Sequence, residues 1–289
     1  METNALRAQW FVPPALATVA AALPSCANRQ PLATRNPSSD VQYEALVAGE
    51  VDVVVTAIDN VLAWNQRQGP RDFRVVAQIE QTTPLALVGR PGIASLHALA
   101  DANILVDSPD NGFVIALKAM LHDVGLGADR YRLTPVGGVK ERFDALRSGA
   151  GDATLLGPPF DSLALAQGLS LVQTIQARYP AFPGQGVVIR HANEAARPKT
   201  AQWLRDLEQA RVAMLGQAAW AQSVLAGVGL PAAAVTAMLA SVPATLRPDA
   251  AGIALLIAHR KTLDLPGSNE QYATIVDESL LPQPAKDRQ

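Results

Sequence analysis

The chain has 289 residues, 49% of them apolar and 17% charged, and 24 Lys and Arg against 26 Asp and Glu leave a net charge of −2. That length and apolar content are enough for a sizeable core in one large domain or two medium ones, and they exclude global disorder. Without a Lys/Arg block there is no electrostatic footprint for nucleic acid or an anionic membrane surface, and a single cysteine, Cys26, excludes an intramolecular disulfide or a cysteine-cluster metal site.

Residues 6–12 read as a first strand. Pro13 and Pro14 then precede an apolar stretch, residues 15–23, that is too short to span a bilayer. With Arg7 ahead of it and Leu23-Pro24-Ser25-Cys26 behind, the stretch also has the outline of a lipoprotein leader. Cleavage before Cys26 would remove the first strand, so a place in the fold is the better expectation. Ser38, Ser39 and Asp40 suit the start of a helix, whose exposed backbone N–H groups they cap or offer to an anion. That helix ends at Gly49, a residue that takes the left-handed C-cap conformation without strain. A strand over 51–57 follows and runs into Thr56-Ala57-Ile58-Asp59-Asn60, expected as a polar turn.

Residues 104–107 read as another strand, Ser108-Pro109-Asp110-Asn111-Gly112 as its loop, and 113–124 as an apolar-periodic helix closed by Gly125. The first helix and strand then recur. Tyr43-Glu-Ala-Leu-Val-Ala-Gly49-Glu-Val-Asp52 is echoed by Phe143-Asp-Ala-Leu-Arg-Ser-Gly149-Ala-Gly-Asp152, with Gly137-Gly138 opening the second copy and Gly157-Pro158-Pro159-Phe160-Asp161 following its strand over 152–156. Two lobes of one design follow from this, and strands alternating with helices through short loops predict an α/β class with mainly parallel sheets. In such sheets ligands bind beyond the carboxyl ends of the strands. From about residue 184 onward helical spacing dominates, over 199–215, 218–228, 231–239 and 251–263, with a short helix in 271–280 and a frayed end from 282.

The run Asn36-Pro-Ser-Ser-Asp-Val-Gln-Tyr-Glu-Ala-Leu-Val-Ala-Gly-Glu-Val-Asp52, the Thr56–Asn60 segment, Val106-Asp-Ser-Pro-Asp-Asn-Gly-Phe113, Pro135-Val-Gly-Gly138 and Gly157–Asp161 together resemble the substrate-binding proteins of ABC importers. The group is the nitrate/sulfonate/taurine and thiamine-pyrimidine-precursor-like one, with the type II periplasmic-binding-protein fold. The resemblance covers residues 6–192 and is weaker through the helical tail. It implies a two-lobed α/β fold with two hinge crossovers and a helical C-terminal tail. Lobe one would be 1–87 with 186–289, and lobe two 88–185. Residues 83–89 and 184–190, extended and apolar between turn formers, independently suit hinge strands.

Carried onto this sequence, the resemblance implies a cleft lined by Trp10, Phe11, Ser38, Ser39, Asp59, Asn60, Ser108, Asn111, Gly137, Gly138, Phe160 and Asp161, with Tyr179 and Gln185 beside the second hinge. Hydroxyls, amides and helix N-termini suit a carboxylate or sulfonate head, and the aromatic residues an apolar wall. Asp59 facing an anion would be unfavourable, so capping or recognition of a donor is its alternative role. The implied function is reversible binding of a small organic anion, with no cofactor and no metal, and an ABC permease as partner if the protein is exported. The resemblance also implies an export leader ahead of the first strand, which here begins within a few residues of Met1. A chain whose leader has been removed would serve in the periplasm, and one starting natively at Met1 in the cytoplasm.

A leaderless member suggests the rival class. Some proteins of this fold are lyases, including decarboxylases, a desulfinase and a dehydratase. The nucleophile would then be Cys26, activated by a base or a helix N-terminus. The four histidines, His97, His122, His191 and His259, suit surface or hinge positions better than a catalytic cluster. No His-Glu-x-x-His motif, Walker loop, dinucleotide fingerprint or Gly-x-Ser-x-Gly elbow is present, which removes the zinc-protease, kinase, dehydrogenase and common hydrolase readings.

Overall fold

The computed structural model describes residues 5–110 and 112–282. They form two five-stranded sheets. The first contains β1 (Arg7–Trp10), β2 (Leu32–Arg35), β3 (Val53–Ala57), β4 (Phe73–Gln78) and β10 (Gln185–Arg190), in the order β2-β1-β3-β10-β4. The second contains β5 (Ala86–Gly89), β6 (Asn103–Val106), β7 (Arg132–Pro135), β8 (Ala153–Leu156) and β9 (Ser170–Thr174), in the order β7-β6-β8-β5-β9.

The two orders are the same pattern. In each sheet three parallel strands are followed by one antiparallel strand, β10 or β5, which pairs with both its neighbours and shifts register against the edge strand. The sheets are therefore mixed, where the loop pattern alone predicted mainly parallel ones. The antiparallel strand has a topological cause: β5 carries the chain into the second sheet and β10 carries it back to the first. Each of these strands lies wholly within one sheet, and the crossovers are the segments before them, 79–85 and 175–184.

The repeated sequence forms the repeated unit. Helix α2 (Ser39–Ala48) precedes β3, and α5 (Val139–Arg147) precedes β8. Gly49 and Gly149 follow these helices at φ +69° and +80°, the left-handed region in which glycine carries no Cβ penalty. Between them α3 (Asp59–Trp64) follows β3, and α4 (Val114–Asp123) follows β6 and ends before Gly125 at φ +79°. Residues 56–60 are thus no turn. The helix begins at once, because Val61, Leu62 and Trp64 give it an apolar face that is fully buried.

Helix α1 (Ala15–Ala22) is the leader-like stretch. It buries Ala15, Leu16, Val19 and Ala20 against α8 (Ala196–Gly216), which presents Trp203, Leu204, Leu207, Ala210 and Met214 at helical spacing. Leu16, Val19 and Leu204 are at most 1% exposed, so each large-to-small change there would cost about 2–5 kcal/mol. The rest of the tail is α9 (Ala218–Gly227), α10 (Ala232–Ala240), α11 (Ala250–Thr262) and α12 (Tyr272–Ile275). The tail's predicted frayed end lies almost wholly outside the described residues. On the second sheet α6 (Phe160–Ala166) and α5 cover Val88, Leu105 and Leu156, and α7 (Ile175–Arg178) opens the second crossover.

One apolar cluster is continuous across both sheets. It joins Val54, Ile58 and Leu62 of the first half to Leu87, Ile104 and Leu117 of the second, with Ile253 and Leu256 of α11 between them. Among the described residues no helix is long and apolar enough to cross a membrane.

Candidate functional site

The carboxyl ends of β1 and β3 face those of β6 and β8 across a cavity of about 120 Å³. From the first half come Phe11, Thr56, Asn60, Gln185 and the first crossover with Glu80, Thr83 and Leu85, and from the tail Met238 and Ser241. From the second half come Val106, Asp107 and Ser108 after β6, Phe113 and Leu117 at α4, and Arg142 from α5. A space of this size takes several water-sized groups, hence a small organic molecule.

Four of the expected residues, Phe11, Asn60, Ser108 and Gln185, line this cavity. Thr56, fully buried, accepts a hydrogen bond of 2.6 Å from Asn60 Nδ2 through its Oγ1, which fixes the amide against the strand end. Gln185 Nε2 donates to Glu80 Oε1 at 3.0 Å, and Thr83 Oγ1 to Glu80 Oε2 at 2.5 Å. Burial pushes the Glu80 carboxyl above its ordinary value, and these hydrogen bonds only partly offset it.

Arg142 is the cation of the wall. Its Nη1 donates to Gly137 O at 2.9 Å and its Nη2 to Leu155 O at 3.2 Å, which hold the guanidinium at the end of β8. Burial pulls its pKa down while the charges of Asp107 and Glu141 pull it up. An arginine remains protonated under such opposing effects. Asp107 reaches across to the first half, where its two oxygens accept from Ser39 N at 3.3 and 3.2 Å. Burial raises the Asp107 pKa against this hydrogen bond and the Arg142 charge.

The remaining expected residues stand elsewhere. Ser38 caps α2, accepting from Val41 N at 3.2 Å, and Ser39 is buried on Asp107, so the α2 N-terminus is occupied by a carboxylate of the protein itself. Gly137 and Gly138 stand where the second half comes close to Phe11 and Pro37 of the first. A Cβ at Gly138 would fall 3.0 Å from Phe11 Cδ1, and one at either glycine 3.2 Å from Pro37 O. Trp10 is half-buried against the core of the first half rather than in the cavity.

Phe160 packs against Phe143 with the rings tilted and their centres 5.3 Å apart, and Asp161 accepts from Ser162 N at 2.7 Å. Neither lines the cavity, because α6 turns that end of the loop onto the second sheet. Tyr179 donates to Asp123 Oδ2 at 2.7 Å and packs edge-on against His259, which ties the second crossover to α4 and α11. Asp59 is behind the wall, bound by Arg260 of α11 at 2.7 and 2.6 Å with both side chains 1% exposed. Its expected donor partner is thus part of the protein. Asn111 lies outside the described residues.

Cys26 does not line the cavity. It is fully buried, its Sγ 3.7 Å from Gln209 Oε1 of α8. Among the described residues no group of three His, Cys, Asp or Glu side chains is arranged to hold a metal.

Sequence reasoning missed Glu80, Asp107 and Arg142. Arg142 lies in Lys140-Glu141-Arg142, which reads as a solvated helix face. Glu80 stands in Ile79-Glu-Gln-Thr-Thr-Pro84, where an acid between an apolar strand and a turn was the available signal.

No family model matches the sequence, and no curated protein matches it. Solved structures do. The chain is similar to the ligand-binding component of an ABC-type import system from Staphylococcus aureus, solved with zinc bound, at 14% identity over 96% of this chain and 97% of that one, with a TM-score of 0.78. It is similar to the alkanesulfonate-binding protein SsuA from Xanthomonas axonopodis pv. citri, bound to MOPS, at 21% identity over 98% and 96%, TM-score 0.71. It is also similar to the Candida albicans CA3427 gene product, which has the generic periplasmic binding protein fold, at 14% identity over 98% and 99%, TM-score 0.73. The chain therefore has the two-lobed α/β fold of the periplasmic binding proteins, as the motif resemblance to ABC-importer substrate-binding proteins implied.

Proposed function

We propose that the protein is a solute-binding protein that closes its two lobes, divided near residues 87 and 186, on a small organic molecule with an anionic head such as a sulfonate or carboxylate. The observation that carries this reading is Arg142, a cation held in the wall of a largely apolar cavity between the lobes. A guanidinium in a low-dielectric wall attracts an anion far more strongly than one in water. Asn60 and Ser108 line the same space from opposite lobes, so a ligand touching both gains contacts in the closed state that the open state lacks. That difference is what drives closure. Phe11, Leu85 and Phe113 give an apolar surface for the organic part.

The similar proteins from Staphylococcus and Xanthomonas are, by description, an import-system component and an alkanesulfonate binder. Their chemistry supports the same role here, with an ABC permease as the partner that receives the ligand. The lyase alternative would use Cys26, and the packing of that residue against α8 does not favour it.

The test is a thermal-shift screen of small alkanesulfonates, carboxylates and pyrimidines, with each hit recovered and weighed by mass spectrometry. Binding to the native state raises the melting temperature by mass action. A sulfonate or carboxylate hit recovered unchanged supports the reading. A hit that is chemically converted, or a screen in which only the pyrimidines bind, overturns it.

A further inference from the structure

We propose that the buried Asp59–Arg260 pair is a positioning clamp for the binding loop of lobe two, setting where Ser108 and the start of α4 stand in the cavity wall. The proposal rests on the solute-binding reading of that cavity. Asp59 opens α3 and Arg260 lies on α11, so both belong to the first lobe and its tail, yet the pair does not close on itself. Asp59 Oδ2, which receives Arg260 Nη2 at 2.6 Å, also accepts the backbone N–H of Gly112 at 3.0 Å. Arg260 Nη2 in turn donates to the carbonyl of Asp110 at 3.2 Å. One donor and one acceptor of the lobe-two backbone are thus held by a charged pair of lobe one.

An ion pair is a costly way to join two helices. Removing two charges from water is rarely repaid by their attraction, and apolar side chains of similar volume serve as well or better. Leu62 of α3 and Ile253 and Leu256 of α11 already share an apolar cluster. What apolar residues could not do is bond the buried N–H of Gly112 and, with it, the carbonyl of Asp110. The pair supplies both, at a loop pressed so close to α3 that a Cβ on Gly112 would lie 3.1 Å from Asn60 Oδ1. Asn60 and Ser108 are wall residues on either side of this contact. Asp59 and Arg260 do not line the cavity, and act through Gly112 and Asp110.

The test replaces the pair as a unit, Asp59→Leu with Arg260→Met, which removes both charges and leaves none unpaired. Three readouts are compared with wild type: melting temperature, hydrogen–deuterium exchange of peptides spanning 108–117, and the affinity for 1-butanesulfonate. The clamp predicts a melting temperature within a few degrees of wild type, exchange in that segment at least tenfold faster, and affinity at least tenfold weaker. A merely structural pair would leave local exchange in step with global stability, and unchanged exchange in 108–117 overturns the proposal. So does unchanged affinity where wild type binds the probe. If wild type does not bind 1-butanesulfonate, the ligand reading fails, while the exchange comparison still decides the clamp. Should the double variant not fold, Arg260→Lys keeps a charge beside Asp59 but loses the fork to Asp110, and exchange there at the wild-type rate would equally refute the clamp.

Discussion

Glu80→Gln removes one of the two carboxylates that line the cavity alongside Arg142. In the wild type Glu80 accepts from Thr83 and Gln185 in the first crossover, and burial holds its pKa above that of an exposed glutamate. The carboxamide has nearly the same shape, keeps an acceptor for Gln185, and lets the Thr83 hydroxyl turn to accept, so the change is chiefly one of charge. For an anionic head at roughly 6 Å from an ionised Glu80 and an effective dielectric of about 20, the repulsion is roughly 3 kcal/mol. That is about a hundredfold in Kd. Because burial raises the Glu80 pKa, the repulsion is absent where Glu80 is protonated and grows as pH rises, so Glu80→Gln should tighten anion binding by up to about 100-fold at the high-pH end of a titration and less at the low-pH end. The sign follows from the raised pKa: protonated Glu80 does not repel, so wild-type affinity is highest at low pH and falls as pH rises through that value. Isothermal titration of both proteins with 1-butanesulfonate from pH 5 to 8 reads this directly, since the sulfonate does not titrate there. Parallel profiles for the two proteins would refute the reasoning. Weaker binding by Glu80→Gln at every pH would refute it as well.

Two further outcomes concern the rest of the molecule. Cys26→Ala should leave solute binding unchanged and lower stability by about 1–2 kcal/mol, because it empties a little space beside Gln209 and Cys26 does not line the cavity; lost binding at an unchanged fold would contradict that placement. At Asp277 burial raises the pKa, but hydrogen bonds from Ser279 and the charge of Arg197 outweigh it and hold the carboxyl at about 2. A folded pKa below the unfolded one stabilises above about pH 4 and is lost as pH falls toward 2. After allowance for screening it is worth about 1–2 kcal/mol. Asp277→Asn should therefore lower stability at pH 7 and converge on wild type at pH 2, and equal acid-unfolding curves would refute the assignment.

What could be read from the sequence were the features that local rules determine. Gly49, Gly125 and Gly149 mark helix ends because the chain there needs a positive φ, and the 100-residue echo is the α2–β3 and α5–β8 unit of the two sheets. The short edge strand β2, exposed along its length, carries little apolar pattern to betray it. The site was harder for a spatial reason. Asp59 was legible as a residue ill suited to an anion, but its partner Arg260 lies 201 positions away and only the fold brings them together. Arg142 shows a charged helix face in sequence and becomes a cavity wall only because α5 lies over the end of β8. Ser39 was legible as a helix start. That Asp107 of the other lobe would take its N–H was not.

The central claim is that an anionic solute binds between the lobes on Arg142. The most direct measurement is isothermal titration of 1-butanesulfonate and its carboxylate counterpart into wild type and Arg142→Met side by side, with melting temperatures to confirm that both are folded. A charge-assisted hydrogen bond contributes about 1.5–3 kcal/mol, so the account predicts one-to-one binding by wild type and affinity about 10- to 150-fold weaker in the variant. Equal affinity in the two folded proteins, or no binding of either anion by wild type, would contradict it.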